Sequence, residues 1–134
     1  MAPTSFSPGL IDTDILIDAE RGRPDAVAFV TAQQTSGTVR ISIVSAMELI
    51  QGCRNAIEQG HVQQFLRRVT VVPIDESISQ SARQLIETFH LSHGMLIPDA
   101  LIAATAIAHG LPLYTKNVRH FQMVPGALVS RPYT

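Results

Sequence analysis

Asp12, Glu48 and Asp99 are the side chains of this sequence best suited to chemistry, because each lies where a strand gives way to a helix or a helix begins. Asp12 ends the apolar run Pro8–Ile11 and is followed by Thr13 and Asp14. Glu48 lies one turn into a helical stretch that follows the alternating run Thr38–Ile43. Asp99 opens the apolar stretch Pro98–His109, which places it at the edge of a core rather than in open water. Thr115 and Asn117 follow a fourth apolar run, Pro112–Thr115. Carboxylates brought together repel, and at least one pKa rises unless a cation intervenes. A hard divalent cation answers that repulsion, and Mg²⁺ needs only one or two protein carboxylates while keeping several waters. Such an ion activates water and neutralises charge on a phosphodiester oxygen. The constellation favours metal-assisted phosphodiester cleavage over acyl transfer.

Each of these residues also has a plainer reading. Asp12 is a good N-cap for a following helix. Thr13 and Asp14 are N-cap or first-turn types, and for Asp14 that role stands beside an accessory metal role. Asp18 reads as a solvated face residue. Asp99 follows Pro98 and suits the first turn of a helix, where an acid complements the dipole. Ser45-Ala46-Met47-Glu48 matches a capping box, in which the acid reaches back to the amide of the cap residue. Each motif is weak alone, and their joint placement after successive strands is the stronger signal.

The elements that must position these groups alternate along the chain. Short strands are expected at residues 8–12, 38–43, 69–73 and 112–115, with a fifth near 127–129. Helices are expected at 14–20, 25–34, 45–55, 58–68, 76–89 and 98–109, with Gly60 between or near the ends of two of them. The last helix is apolar almost all round and should be buried on most sides. Strands separated by helices give βαβ units and a mainly parallel sheet covered on both faces. In such sheets the site lies outside the carboxyl ends of the strands, where the strand order reverses. The acids above fall there.

Composition narrows the field further. Hydrophobic residues make up 46% of the 134 and charged residues 16%, a folding composition of single-domain length, so one domain over 1–134 is expected. Lys+Arg is 10 against Asp+Glu 11, which excludes binding of nucleic acid by bulk charge alone. A local basic face is still open to a chain whose cations, Lys116 apart, are all Arg. The lone Cys53 forbids an internal disulfide and a multi-cysteine zinc site, and reads as an inert, partly buried thiol. His61, His90, His93, His109 and His120 are scattered, and only His120 falls near the proposed site. There is no Gly-x-Ser-x-Gly elbow, no phosphate-binding glycine loop, and too little aromatic content for a base-stacking platform. The first residues lack a basic and an apolar region, and no apolar run approaches membrane-spanning length, so a soluble cytoplasmic protein without membrane contact is expected.

Four segments resemble the ordered motifs of PIN domains, and more closely those of VapC-type toxins. They are Leu10-Ile11-Asp12-Thr13-Asp14-Ile15-Leu16-Ile17, Ser45-Ala46-Met47-Glu48-Leu49-Ile50-Gln51-Gly52, Pro98-Asp99-Ala100-Leu101-Ile102-Ala103-Ala104 and Tyr114-Thr115-Lys116-Asn117-Val118-Arg119-His120-Phe121. The resemblance spans nearly the whole chain. It implies a three-layer α/β/α fold with a central, mainly parallel sheet of four or five strands. It also implies a Mg²⁺- or Mn²⁺-dependent endoribonuclease, usually a homodimer, whose site an antitoxin partner covers. Carried over by motif, Asp12, Glu48 and Asp99 are the main catalytic and metal-binding acids, with Thr13, Asp14, Thr115 and Asn117 accessory. Asn117 and His120 stand where many members carry a fourth acid, which puts a second tightly bound metal in question.

Two rival readings stand beside it: a receiver-like phosphoacceptor domain, and a PIN fold that binds protein without catalysis. The first is disfavoured because the third strand ends in Val72-Pro73 rather than in an acceptor aspartate. A near-neutral chain must gather its RNA phosphate contacts locally, and Lys116 and Arg119 beside the fourth motif, with Arg21 and Arg23 after the first helix, are the candidates. Ile15, Leu16 and Ile17 in succession cannot all face one core, so some of them are expected to meet neighbouring helices or a second chain.

Overall fold

A computed structural model describes residues 6–134; the reading of the first five residues lies outside that range. The strands are β1 (Leu10–Ile11), β2 (Arg40–Ser42), β3 (Thr70–Val72), β4 (Leu113–Tyr114) and β5 (Val129–Ser130). The helices are α1 (Thr13–Glu20), α2 (Pro24–Ser36), α3 (Ile43–Gln51), α4 (Ala56–Leu66), α5 (Glu76–His93) and α6 (Ile97–Ala108), with a 3₁₀ turn at Val118–His120. All strand pairs are parallel, in the order β3-β2-β1-β4-β5. The chain winds outward from β1 to β3, then returns to the other side of β1. The order therefore reverses between β1 and β4.

The period-two alternation of the strands divides the interior into two cores. Leu10 and Leu113 face one core, with Val72, Ile78, Ile102 and Phe121. Ile11 and Tyr114 face the other, with Ile15, Leu16, Phe29, Ile41 and Leu49. Helices α5 and α6 cover the first face, and α1, α2 and α4 cover the second. Helix α3 serves both, through Val44 on one side and Ala46 and Leu49 on the other. This is the expected three-layer α/β/α fold with five strands.

Several boundaries differ from the sequence reading. Strand β2 stops at Ser42, which caps α3 by accepting from the Val44 amide at 3.0 Å. Ser45 is therefore inside the helix, fully buried, and the capping box of Ser45 and Glu48 does not form. Asn55 caps α4, and Gly60 lies within that helix rather than at its end. Helix α5 runs on to His93, through an exposed last turn, until Gly94 ends it at φ +68°, a left-handed conformation that glycine adopts without strain. Ile15 and Leu16 are fully buried and Ile17 packs against the same core, so these three find their places within the chain and call for no second copy. No helix among the described residues is long and apolar enough to cross a membrane.

Candidate active site

The reversal point brings the fourth motif against the first. The Asp12 amide donates to the Tyr114 carbonyl at 2.9 Å, extending the β1–β4 ladder by one bond. Asp12 is the N-cap of α1: its Oδ1 accepts from the Thr13 amide at 2.8 Å. Its Oδ2 accepts from the Thr115 hydroxyl at 2.7 Å. The capping role and the site role thus share one carboxylate. Asp14 Oδ2 accepts from the Lys116 amide at 2.9 Å and stands 3.3 Å from the Thr115 hydroxyl.

Glu48 joins the group from α3. Its Oε1 accepts from the Thr13 hydroxyl at 2.8 Å, and the same Thr13 oxygen lies 2.8 Å from Ser45 Oγ. Asp99, in the first turn of α6, is half-buried, with His120 Nδ1 at 3.4 Å from its Oδ2. Asn117 and Arg119 are exposed beside the site, and the Asn117 amide donates to the Thr115 hydroxyl oxygen at 3.0 Å.

Burial acts on the three aspartates in one direction. Burial, then the charge of Asp14, pushes Asp12 up to about 7. Burial raises Asp14 against the amides of Lys116 and Ile15 that hold it. Burial raises Asp99 too; His120 opposes the shift, while Glu48 and Asp14 add to it. Four acids thus share one end of the sheet without an equal number of cations among the described residues. Among the described residues, no three His, Cys, Asp or Glu side chains stand close enough together to hold a metal ion as a ready-made ligand set. An open set of oxygen donors under repulsion fits a hard cation that keeps much of its water, and does not fit a closed zinc site.

The sequence reading placed Asp12, Thr13, Asp14, Glu48, Asp99, Thr115 and Asn117 at one site, and the fold gathers them there. It did not single out Ser45, which the capping-box pattern disguised, and His120, the one histidine it placed near the site, lies against Asp99. It also took Asp18 for a solvated residue. Asp18 instead accepts from Tyr133 at 2.8 Å and pairs with Lys116 at 2.6 Å. The Lys116 ammonium is therefore engaged inside the chain rather than free. A cleft of about 560 Å³ opens next to Glu48 between α1, α3 and α4, with Arg21, Arg54 and His61 in its lining. Arg54 is tied to Glu58 at 3.0 Å.

The family model for the PIN domain matches residues 9–126, from the residue before β1 to the turn before β5. The chain belongs to the PIN-domain family. Within it, this PIN domain is 38% identical over 115 residues to Ribonuclease VapC10 of Mycobacterium tuberculosis, covering 85% of this chain and 86% of that one. It is 36% identical over 119 residues to Ribonuclease VapC1 of Methanocaldococcus jannaschii, covering 84% and 78%. Among solved structures, it is similar to the toxin-antitoxin complex from Klebsiella pneumoniae, with a TM-score of 0.77 and 31% identity over 93% of this chain and 98% of that chain.

Proposed function

We propose that this PIN domain, read as one domain over 1–134, is the toxin of a toxin–antitoxin pair and an endoribonuclease that hydrolyses RNA phosphodiester bonds with Mg²⁺ or Mn²⁺. One observation carries the reading: Asp12, Asp14, Glu48 and Asp99 converge at the reversal of strand order without matching cations among the described residues, and burial pushes the three aspartates toward neutrality. Kinship with named ribonucleases supports the choice of RNA.

Asp12, Glu48 and Asp99 hold the ion, directly or through its waters. When bound, the ion supplies an activated water and charge neutralisation on the phosphodiester. Thr115 and the Thr13 amide fix both oxygens of Asp12, so the carboxylate is oriented before substrate arrives. Thr13 does the same for Glu48. Asp14 and Asn117 are accessory groups at the rim. Arg119, exposed beside the fourth motif, and Arg21, at the cleft, contact RNA phosphates; Lys116 contributes a phosphate contact only by leaving Asp18.

The partner is an antitoxin, a reading supported by the Klebsiella neighbour being a toxin-antitoxin complex. A homodimer is supported by exposed Leu96 and Ile97 beside an apolar groove between α5 and α6, lined by Ala82, Ile86 and Leu101. The working compartment is the cytoplasm. The deciding experiment is RNA cleavage by Asp99→Asn with Mg²⁺ or Mn²⁺ present. Loss of cleavage with thermal stability retained is expected, and normal cleavage would overturn the assignment.

A further inference from the structure

The segment after β5 folds back beside the site. Arg131 Nη1 donates to the Lys116 carbonyl at 3.1 Å, and Arg131 Nε donates to the Tyr133 carbonyl at 2.9 Å. The Tyr133 hydroxyl donates to Asp18 Oδ2 at 2.8 Å. The same oxygen meets Lys116 Nζ at 2.6 Å and Arg23 Nη1 at 3.4 Å. The Arg23 guanidinium lies 4.9 Å from the centre of the Tyr133 ring.

An exposed ion pair contributes little to stability or geometry. This pair is different in kind. Asp18 retains 15% of its side-chain exposure and Lys116 23%, and one carboxylate oxygen gathers three donors. Lys116 above all holds Asp18 below the usual carboxylate range, while burial and then Asp18 raise Tyr133. Asp18 therefore stays an acceptor and Tyr133 a donor across the working range of pH.

Residue 116 is held at three points. Its ammonium is on Asp18, its carbonyl accepts from Arg131, and its amide donates to Asp14 in the site. The residue before it, Thr115, fixes Asp12. We propose that Lys116, Asp18 and Tyr133 form a clasp of positioning residues that presses the Lys116 amide against Asp14 and the Thr115 hydroxyl against Asp12, shaping the acids for a divalent cation. The clasp rests on the reading of those acids as a cation site. It assigns Lys116 to the architecture of the site rather than to RNA.

The test is Mn²⁺ binding to the full chain, followed by the electron paramagnetic resonance signal of free Mn²⁺, alongside thermal unfolding. Tyr133→Phe is the mildest variant, because it keeps the ring against Arg23 and removes only the hydroxyl. It, Asp18→Asn and Lys116→Met should each weaken Mn²⁺ affinity about tenfold, the lower end for residues that orient a ligand. The double variant Asp18→Asn/Lys116→Met should lose no more than either single one, since the two act through one contact. Parent-like Mn²⁺ affinity in the three single variants, whatever their melting temperatures, would overturn the clasp. So would fully additive losses, or a Lys116→Met chain that binds Mn²⁺ normally and RNA weakly. A parent chain that binds no Mn²⁺ overturns the cation-site reading first, and the clasp with it.

Discussion

The Thr115 hydroxyl reaches across the β1–β4 boundary to Asp12 Oδ2 at 2.7 Å, joining residues 103 positions apart. This bond favours the charged carboxylate, yet burial and Asp14 outweigh it and Asp12 rises from 3.8 to about 7. In the metal-free chain the folded state therefore holds a proton that the unfolded state has released between these values. Its contribution to stability is full below about pH 4 and is lost as pH rises through about 7. Asp14 and Asp99 shift the same way, while Asp18 shifts the opposite way in a window below about pH 4. The melting temperature of metal-free protein should fall from about pH 5 to about pH 8, and Asp12→Asn should flatten that fall. A scan of thermal unfolding against pH checks both.

Glu48 no longer has a capping role to lose. Its hydrogen bond to Thr13 survives in Glu48→Gln, because the amide oxygen accepts as the carboxylate did. Stability without metal should stay within about 0.5 kcal/mol of the parent. Mn²⁺ affinity and RNA cleavage should drop steeply, because the amide brings no charge to a hard cation. Calorimetric titration with Mn²⁺ and a cleavage assay read the two halves of this outcome.

Arg119 is the exposed cation of the fourth motif, whereas Lys116 is occupied by Asp18. Arg119→Ala should weaken RNA binding and lower the slope of log affinity against log salt by about one. RNA binding measured across a salt series, with Ca²⁺ in place of Mg²⁺ to prevent cleavage, gives that slope.

Gly9 lies where β1 begins against β4. A Cβ built there would stand 2.6 Å from the Pro112 carbonyl oxygen and 2.6 Å from Tyr114 Cε2. The backbone oxygen cannot turn aside as a long side chain would, so Gly9→Ala should cost about 1–3 kcal/mol. By parting β1 from β4 it should also weaken Mn²⁺ binding, through the Asp12–Thr115 contact. Denaturant unfolding measures the first effect and titration the second.

Much of this was legible because it is local. Alternating runs marked the strands, and the rule that chemistry follows their carboxyl ends led to Asp12, Glu48, Asp99 and Thr115. The misreadings came where a distant partner outbid a local pattern. Ser45 and Glu48 have capping-box spacing, but Thr13 draws both toward the site, and Ser42, three residues earlier, takes the cap. Ile15, Leu16 and Ile17 look too many for one helix face, yet the core between α1, α2 and the sheet accommodates all three. Asp18 has the spacing of a surface acid. Its partners Lys116 and Tyr133 lie at the far end of the chain, and no periodicity announces a contact between residues that far apart.

The strand order has a consequence for the cell that makes this protein. Because β4 pairs with β1, a nascent chain that has delivered Asp12, Glu48 and Asp99 still exposes β1 at an open edge and lacks the Thr115 hydroxyl. Synthesis runs from the amino end, so the site is finished only after β4 and Thr115 have left the ribosome. A protease that cuts ahead of β4 would disarm the molecule without touching a single acid.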